Sequence, residues 1–160
     1  ANLDMSSTLG VELQKELDFV QQYIRVESYL MGDDFNFNID IAPDVDASSV
    51  RIPSMFIQIM TENSIKHALR NKEGIKLLSI TVRHEHNNTV IRVTDNGPGF
   101  NPVTLRRKTG MNIISQTIAV INLHNKDKIR FDIHNIYSSD GKQIKGCEAM
   151  LKVPDGVKIE

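Results

Sequence analysis

Two alternating apolar segments, followed at once by a glycine-rich turn, constrain this chain more than any other feature of its sequence. Between residues 89 and 94 apolar and polar side chains alternate as in a β-strand, which puts Ile91, Val93 and Asp95 on one face. A second alternating run covers residues 78–84. The two runs predict a hairpin with one buried face, and Asp95 lies at the end of that face.

The register of this hairpin follows from where the chain turns. A two-residue turn at positions 87–88 places Ile80 opposite Asp95 and Val82 opposite Val93. In that register the apolar side chains of both strands share a single face. We therefore expect Asp95 to point in the same direction as the buried residues.

Asp95 begins the sequence Asp-Asn-Gly-Pro-Gly, which has two interpretations. An ionised carboxylate at the end of a buried face needs hydrogen-bond donors, because burying it unpaired is expensive. The glycines that follow let the backbone approach a ligand closely, so the carboxylate can accept a hydrogen bond from the amine of an enclosed ligand. Alternatively, the five residues form an ordinary type I or II turn.

The remainder of the chain mixes helical and strand periodicity without repeats. The predicted elements are a helix over residues 11–31, a strand over 35–41, a helix whose first turn holds Pro53, a helix opened by Thr109 and Gly110, and two strands around 129–133 and 147–153 whose three- or five-residue loop contains Gly141. Hairpins interleaved with helices indicate an α+β fold: a two-layer sandwich of a mixed, mostly antiparallel sheet with helices on one face. We expect residues 1–10 to be a linker or an appended remnant and residues 11–160 to form the domain.

Composition excludes several classes of protein. The 160 residues are 40% hydrophobic and 24% charged, with a net charge of -1, so no basic field indicates nucleic-acid binding. Cys147 is the only cysteine, which excludes an internal disulfide and a cysteine-based zinc site and fits a reducing compartment. The sequence has no membrane-spanning apolar run and no signal peptide, and it begins with Ala1 rather than Met. We therefore expect a cytoplasmic domain excised from a longer protein.

Polar residues appear on the second half of the helix that follows Pro53. With α-helical spacing, Asn63, Lys66, His67 and Arg70 share one stripe. An Asn carbonyl is a hard oxygen ligand suited to Mg²⁺, which usually shares its coordination with substrate phosphates, and a nearby Lys supplies a compact positive charge. The alternative is the solvated end of a surface helix.

Three motifs, taken together and in order, resemble the N, G1 and G2 boxes of the GHKL ATP-binding superfamily. They are Asn63-x-x-Lys66-His67, Asp95-x-Gly97-x-Gly99 and Thr109-Gly110-Met111 at the start of a helix. Within that superfamily the chain looks most like the catalytic domain of LytS-type sensor histidine kinases. Three motifs on the expected elements are far more specific than any one of them.

The resemblance implies a role for each matching residue. Asp95 would bind the adenine amine, and Gly97 and Gly99 would shape the adenine pocket. Asn63 would coordinate Mg²⁺.

The phosphates would lie farther along the same site. Lys66 and His67 would lie near them, and Gly110 and Met111 would cradle them with backbone N–H groups at the helix start. Arg107 and Lys108, in the short segment before that helix, would add positive charge.

Two departures from the family pattern bear on activity. Ile59 occupies the position where ATP-hydrolysing members carry a Glu base, so we expect little hydrolysis, with Glu62 as a weak substitute candidate. Lys108 stands where the G2 box normally has its first glycine. This change leaves open a domain with weakened nucleotide binding.

The resemblance implies transfer of the γ-phosphoryl group of ATP, with Mg²⁺, to a histidine on a separate dimerisation and phosphoacceptor helical domain. None of the five histidines here lies in an acceptor-helix context. A response regulator would act downstream, and the full-length protein would be anchored in the membrane. Two alternatives stay open: a serine kinase of the anti-sigma type, and a degenerate nucleotide-sensing or docking module without transfer activity.

Overall fold

The structure is a computed structural model, and it describes residues 9–101 and 109–159. The elements in chain order are β1 (Gly10–Glu12), α1 (Leu13–Met31), β2 (Phe35–Ile41), β3 (Arg51–Pro53), α2 (Phe56–Asn63), a π-helix (Ser64–Leu69), β4 (Lys76–Glu85), β5 (Asn88–Asp95), α3 (Thr109–Leu123), β6 (Arg130–Tyr137) and β7 (Ile144–Pro154). Residues 9 and 10 were expected to belong to a linker or remnant. In the structure Gly10 is the first residue of β1, and Leu9 directly precedes it.

The main sheet has five strands in the order β2-β4-β5-β7-β6. The edge strand β2 runs parallel to β4, and the other three pairs are antiparallel. One face is covered by the helices, and Leu13, Ile24, Phe56 and Ile114 of the helix layer are fully buried. The predicted α+β fold, with a mixed and mostly antiparallel sheet, is confirmed.

The β4–β5 hairpin has the predicted buried face but a different register. Leu78 lies opposite Asp95 and Ile80 opposite Val93, two residues away from the expected pairing. The turn consists of His86 and Asn87, with φ angles of 49° and 64°, the pattern of a type I′ hairpin turn. A shift of two residues preserves the face of every side chain, so Asp95 still points toward the core.

The β6–β7 loop is longer than expected, and it has an even number of residues where an odd number was predicted. Six residues, 138–143, join the strands, not three or five. Ile136 pairs with Gly146 while Tyr137 pairs with Ile144, so one extra residue bulges from β7. The even loop and the bulge together restore the odd spacing that keeps Ile133 and Ala149 paired on one face.

The segment before α2 differs from its prediction. Pro53 does not enter the first turn of a helix; it ends β3, which pairs with β1 in a separate two-stranded sheet. Met55 follows with a φ of 69°, in the left-handed region, and α2 begins at Phe56. β1 likewise replaces the first two residues of the predicted 11–31 helix.

Two buried carboxylates attach α1 to the helix that follows. Glu16 accepts a hydrogen bond from the backbone N–H of Gln58 at 3.2 Å, at the start of α2. Glu27 forms an ion pair with Arg70 at 2.9 Å, just beyond the π-helix. Burial raises the pKa of Glu16, while backbone N–H donors of α2 oppose that shift. Both ends of the α2 and π-helical segment are therefore fixed to α1.

Candidate functional site

A cavity of about 230 Å³ lies between the helix layer and the end of β5. Its wall is formed by Met60, Asn63, Ser64, His67, Ala68, Val93, Asp95, Gly99, Phe100, Asn101, Ile133, Cys147 and Ala149. A concave, mostly apolar wall with a few convergent polar groups is typical of small-molecule sites. The structure brings Asp95 and Asn63, which are 32 positions apart in the sequence, to this one cavity.

Asp95 is the buried acid of the cavity, with 6% of its surface exposed. Its Oδ1 accepts a hydrogen bond from the backbone N–H of Gly97 at 2.9 Å, and Ser64 borders the same cavity. Burial raises the pKa of Asp95, and the Gly97 N–H and the Ser64 hydroxyl lower it. A carboxylate offers about four lone-pair sites, so the Gly97 donor leaves acceptor capacity for a ligand.

The backbone around Asp95 is packed so closely that two glycines have no space for a side chain. A Cβ on Gly97 would lie 2.5 Å from Cβ of Ala68 and 3.0 Å from Oδ1 of Asp95. A Cβ on Gly146 of β7 would collide with the carbonyl oxygen of Asp95. Sequence analysis did not single out Gly146, although an isolated glycine within a strand pattern signals close backbone approach.

A side-chain clamp fixes the chain where it leaves the glycine turn. Gly99 has a φ of 85°, a conformation that favours glycine. The Asn135 side chain accepts from the N–H of Phe100 at 3.0 Å and donates to its carbonyl at 3.2 Å. Asn135 lies in β6 and was also missed, because a single polar residue in a strand carries no local signal for such a contact.

Asn63 lies at the last position of α2 and borders the cavity. Its Nδ2 contacts Sδ of Met111 in the first turn of α3 at 3.9 Å. The other polar atom of its side chain is the amide oxygen Oδ1. That oxygen is the atom in this residue that can bind a hard cation.

The predicted polar stripe is divided by the π-helix. His67 lines both the cavity and a neighbouring groove, which Lys66 lines together with Lys72 and Lys145. Arg70 instead forms an ion pair with Glu27 of α1. A π-helix closes each turn with an i→i+5 hydrogen bond, so residues three and seven apart no longer lie on one stripe.

Four further residues were predicted for the site: Glu62, Gly110, Arg107 and Lys108. Glu62 is not among the cavity-lining residues; its negative charge is one of the causes that raise the pKa of Tyr23 in α1 to about 12, after burial and Glu27. A Cβ on Gly110 would lie 2.8 Å from Cγ2 of Ile59, so the first turn of α3 packs directly on α2. Arg107 and Lys108 lie outside the described residues.

Cys147 lies opposite Asp95 on the neighbouring strand and borders the same cavity. Burial, followed by the charges of Asp95 and Glu148, raises the pKa of its thiol to about 12. A thiol with this pKa is protonated and inert at neutral pH, so Cys147 contributes a small apolar surface and no nucleophile.

The described residues contain no group of three His, Cys, Asp or Glu side chains arranged to hold a metal ion. None of the helices in ranges 9–101 and 109–159 has the length and hydropathy of a membrane span.

No protein-family model matches the chain. Among curated proteins it is 28% identical to the sensor histidine kinase YpdA of Escherichia coli over 130 residues, which are 81% of this chain and 22% of YpdA. It is 30% identical to the sensor protein LytS of Staphylococcus haemolyticus over 117 residues, or 73% of this chain and 20% of LytS. The chain thus spans about one fifth of the length of these relatives.

Solved structures give the same result for the fold. The catalytic domain of histidine kinase ThkA superposes with a TM-score of 0.61 at 14% identity, covering 91% of this chain and 96% of that domain. The mycobacterial sensor histidine kinase MprB superposes with a TM-score of 0.58 at 13% identity, covering 91% and 97%. The chain is therefore a homologue of the LytS and YpdA sensor histidine kinases, and it has the fold of a histidine kinase catalytic domain.

Proposed function

We propose that this chain is the ATP-binding catalytic domain of a two-component sensor histidine kinase, which transfers the γ-phosphoryl group of ATP to a histidine on a separate helical domain. The observation that carries the proposal is the buried Asp95 carboxylate, held by the backbone N–H of Gly97 in the wall of a cavity that Asn63 also borders. The homology to sensor histidine kinases supports the same function over that of an anti-sigma-type serine kinase.

The cavity suits a purine base at its Asp95 end. A carboxylate accepts but does not donate, so it selects a ligand with an exocyclic amine. Val93, Ile133 and Ala149 offer apolar surface to the faces of a flat ring. Gly97 carries no side chain to crowd the Asp95 carboxylate, whose Oδ1 would lie 3.0 Å from a Cβ at that position.

The phosphates would extend toward α2, the π-helix and the start of α3. Asn63 would hold a Mg²⁺ ion that supplies charge neutralisation on the phosphate oxygens. His67 borders the cavity on this side, and the first backbone N–H groups of α3 are suited to an anion. Lys66, from its adjacent groove, together with Arg107 and Lys108, would add positive charge.

In the transfer reaction this domain would position the ATP phosphates and neutralise their charge, and it would supply no general base. Ile59, where a hydrolytic base would act, is a buried aliphatic side chain packed near Gly110. It cannot activate water, so we expect slow ATP hydrolysis. A neutral histidine of the acceptor domain already presents a nitrogen lone pair near pH 7 and needs no strong base. A response regulator would then receive the phosphoryl group.

The test uses the full-length protein with ATP labelled at the γ-phosphorus and Mg²⁺. We expect acid-labile phosphohistidine, and we expect Asn63→Ala to lose most of the label and most of the metal dependence of ATP binding. Acid-stable phosphoserine on a partner protein would support the serine kinase instead. Failure of the wild-type domain to bind ATP at millimolar concentrations with Mg²⁺ would contradict the proposal.

A further inference from the structure

The sheet side of the cavity consists of two rows of side chains from the neighbouring strands β5, β7 and β6. Paired residues of adjacent strands, and residues two apart along one strand, share a face of the sheet. The row at the end of β5 is Asp95, Cys147 and Asn135, and the next row is Val93, Ala149 and Ile133. Five of these six residues line the cavity, and Asn135 is not among them.

The side chain of Asn135 binds the backbone of Phe100. Its Oδ1 accepts from the N–H of Phe100 at 3.0 Å, and its Nδ2 donates to the carbonyl oxygen of Phe100 at 3.2 Å. Phe100 in turn lines the cavity. Phe100 therefore closes the β6 side of the cavity, whereas Asp95 lies on its β5 side.

The chain between Asp95 and Phe100 crosses the end of β7. A Cβ on Gly146 of β7 would collide with the carbonyl oxygen of Asp95. A Cβ on Gly99 would lie 2.7 Å from Cγ2 of Ile144 in β7 and 2.7 Å from Oδ1 of Asn135. The segment thus lies against β7 and reaches β6 at the point where Asn135 binds it.

We propose that Asn135 is a positioning residue for base recognition: its amide holds the Phe100 backbone, so that Phe100 forms a fixed wall of the cavity. The proposal rests on the proposed function, since this wall matters to a ligand only if the cavity binds a purine. A wall that is already ordered does not have to be ordered when the ligand binds, and such ordering costs affinity. Without the two hydrogen bonds the ligand itself would have to fix Phe100, and ATP would bind more weakly.

Asn122 provides a matched control, because its side chain makes the same pair of hydrogen bonds elsewhere in the molecule. Its Oδ1 accepts from the N–H of Ile129 at 2.8 Å, and its Nδ2 donates to the carbonyl oxygen of Ile129 at 3.1 Å. Neither Asn122 nor Ile129 is among the cavity-lining residues. Replacing either Asn by Ala removes two side chain–backbone hydrogen bonds, so the two variants should lose similar stability.

The first measurement is the affinity of the full-length protein for ATP, determined by calorimetry with Mg²⁺ and with a chelator. Asn135→Ala should weaken ATP binding about tenfold under both conditions, because the wall contacts the base and not the metal. Asn122→Ala should change the affinity by less than about twofold. Asn135→Ser has a single, shorter polar group, so its affinity should lie between those of the wild type and Asn135→Ala, and it serves as the test if Asn135→Ala does not fold.

The second measurement separates binding from stability in the phosphorylation assay. Loss of a binding contact that the ground state and the transition state share raises KM and leaves kcat unchanged. Asn135→Ala should therefore raise the KM for ATP about tenfold and change kcat by less than about twofold, whereas a less stable protein has a smaller active fraction and a lower kcat. A lower kcat with an unchanged KM, wild-type affinity in the Asn135 variants, or an equal loss of affinity in Asn122→Ala would overturn the role of Asn135. If the wild-type protein bound no ATP, the proposed function itself would fail.

Discussion

Gly97→Ala is the substitution whose effect follows most directly from the geometry of the site. The new Cβ would lie 2.5 Å from Cβ of Ala68, 3.0 Å from Oδ1 of Asp95 and 3.1 Å from Cα of Ala68. Ordinary carbon contacts are about 3.5–4.0 Å. None of these atoms belongs to a long flexible side chain, so either the π-helix moves away from β5 or the carboxylate turns.

The size of the effect can be set from packing energetics. Inserting a methyl group into a well-packed core typically costs about 1–3 kcal/mol. For a domain of this size each kcal/mol lowers the melting temperature by about 2–4 °C, so we expect a decrease of about 2–12 °C. Displacing the Asp95 carboxylate should also weaken ATP binding about tenfold.

The assay combines thermal unfolding with a calorimetric titration of ATP and Mg²⁺. Gly156→Ala is the matched control, because its Cβ would meet only Oδ2 of Asp127 at an ordinary 3.6 Å. Ala68→Gly removes the shortest contact and should recover part of the loss in the Gly97→Ala background, which appears as favourable coupling in the cycle. A Gly97→Ala protein that melted within 1 °C of the wild type and bound ATP equally well would refute this reasoning.

Two further predictions concern the carboxylates that hold α1. Arg70→Gln should lower the free energy of unfolding by about 1–2 kcal/mol, because it leaves the buried Glu27 without its ion-pair partner. It should not change ATP affinity, and weaker ATP binding would contradict this prediction. The raised pKa of Glu16 means that its protonated form favours folding, so its contribution to stability is lost as pH rises through the folded pKa. Glu16→Gln, which keeps an acceptor oxygen for Gln58, should therefore gain stability relative to the wild type in urea unfolding as the pH rises above the ordinary pKa of a Glu carboxyl, about 4; a relative loss would contradict it.

Periodicity predicted which faces of the sheet are buried, and it did so because that property depends only on local alternation. The orientation of Asp95 survived an error of two residues in the hairpin register, since strand side chains repeat every two residues. The same repeat explains why the register itself was wrong: it cannot distinguish a turn at 86–87 from alternatives that preserve the faces. Periodicity alone could therefore not locate the type I′ turn at His86 and Asn87.

Features that depend on non-local pairing or on an extra residue could not be predicted. β3 has only three residues, too few to show a period, and it exists because β1 pairs with it. The π-helix adds a residue to a helical turn, which no apolar spacing in the sequence revealed. For that reason the expected stripe was wrong at Arg70, while His67 lies beside the cavity.

The most direct test of the account is a calorimetric titration of the domain with ATP and Mg²⁺, carried out on the wild type and on Asp95→Asn. The variant replaces a pure acceptor by an amide that can present its own donor to the ligand amine. We predict that the wild type binds ATP and that Asp95→Asn weakens binding at least tenfold while the folded structure is retained. Equal affinity of the two proteins for ATP would show that the buried carboxylate does not recognise the base.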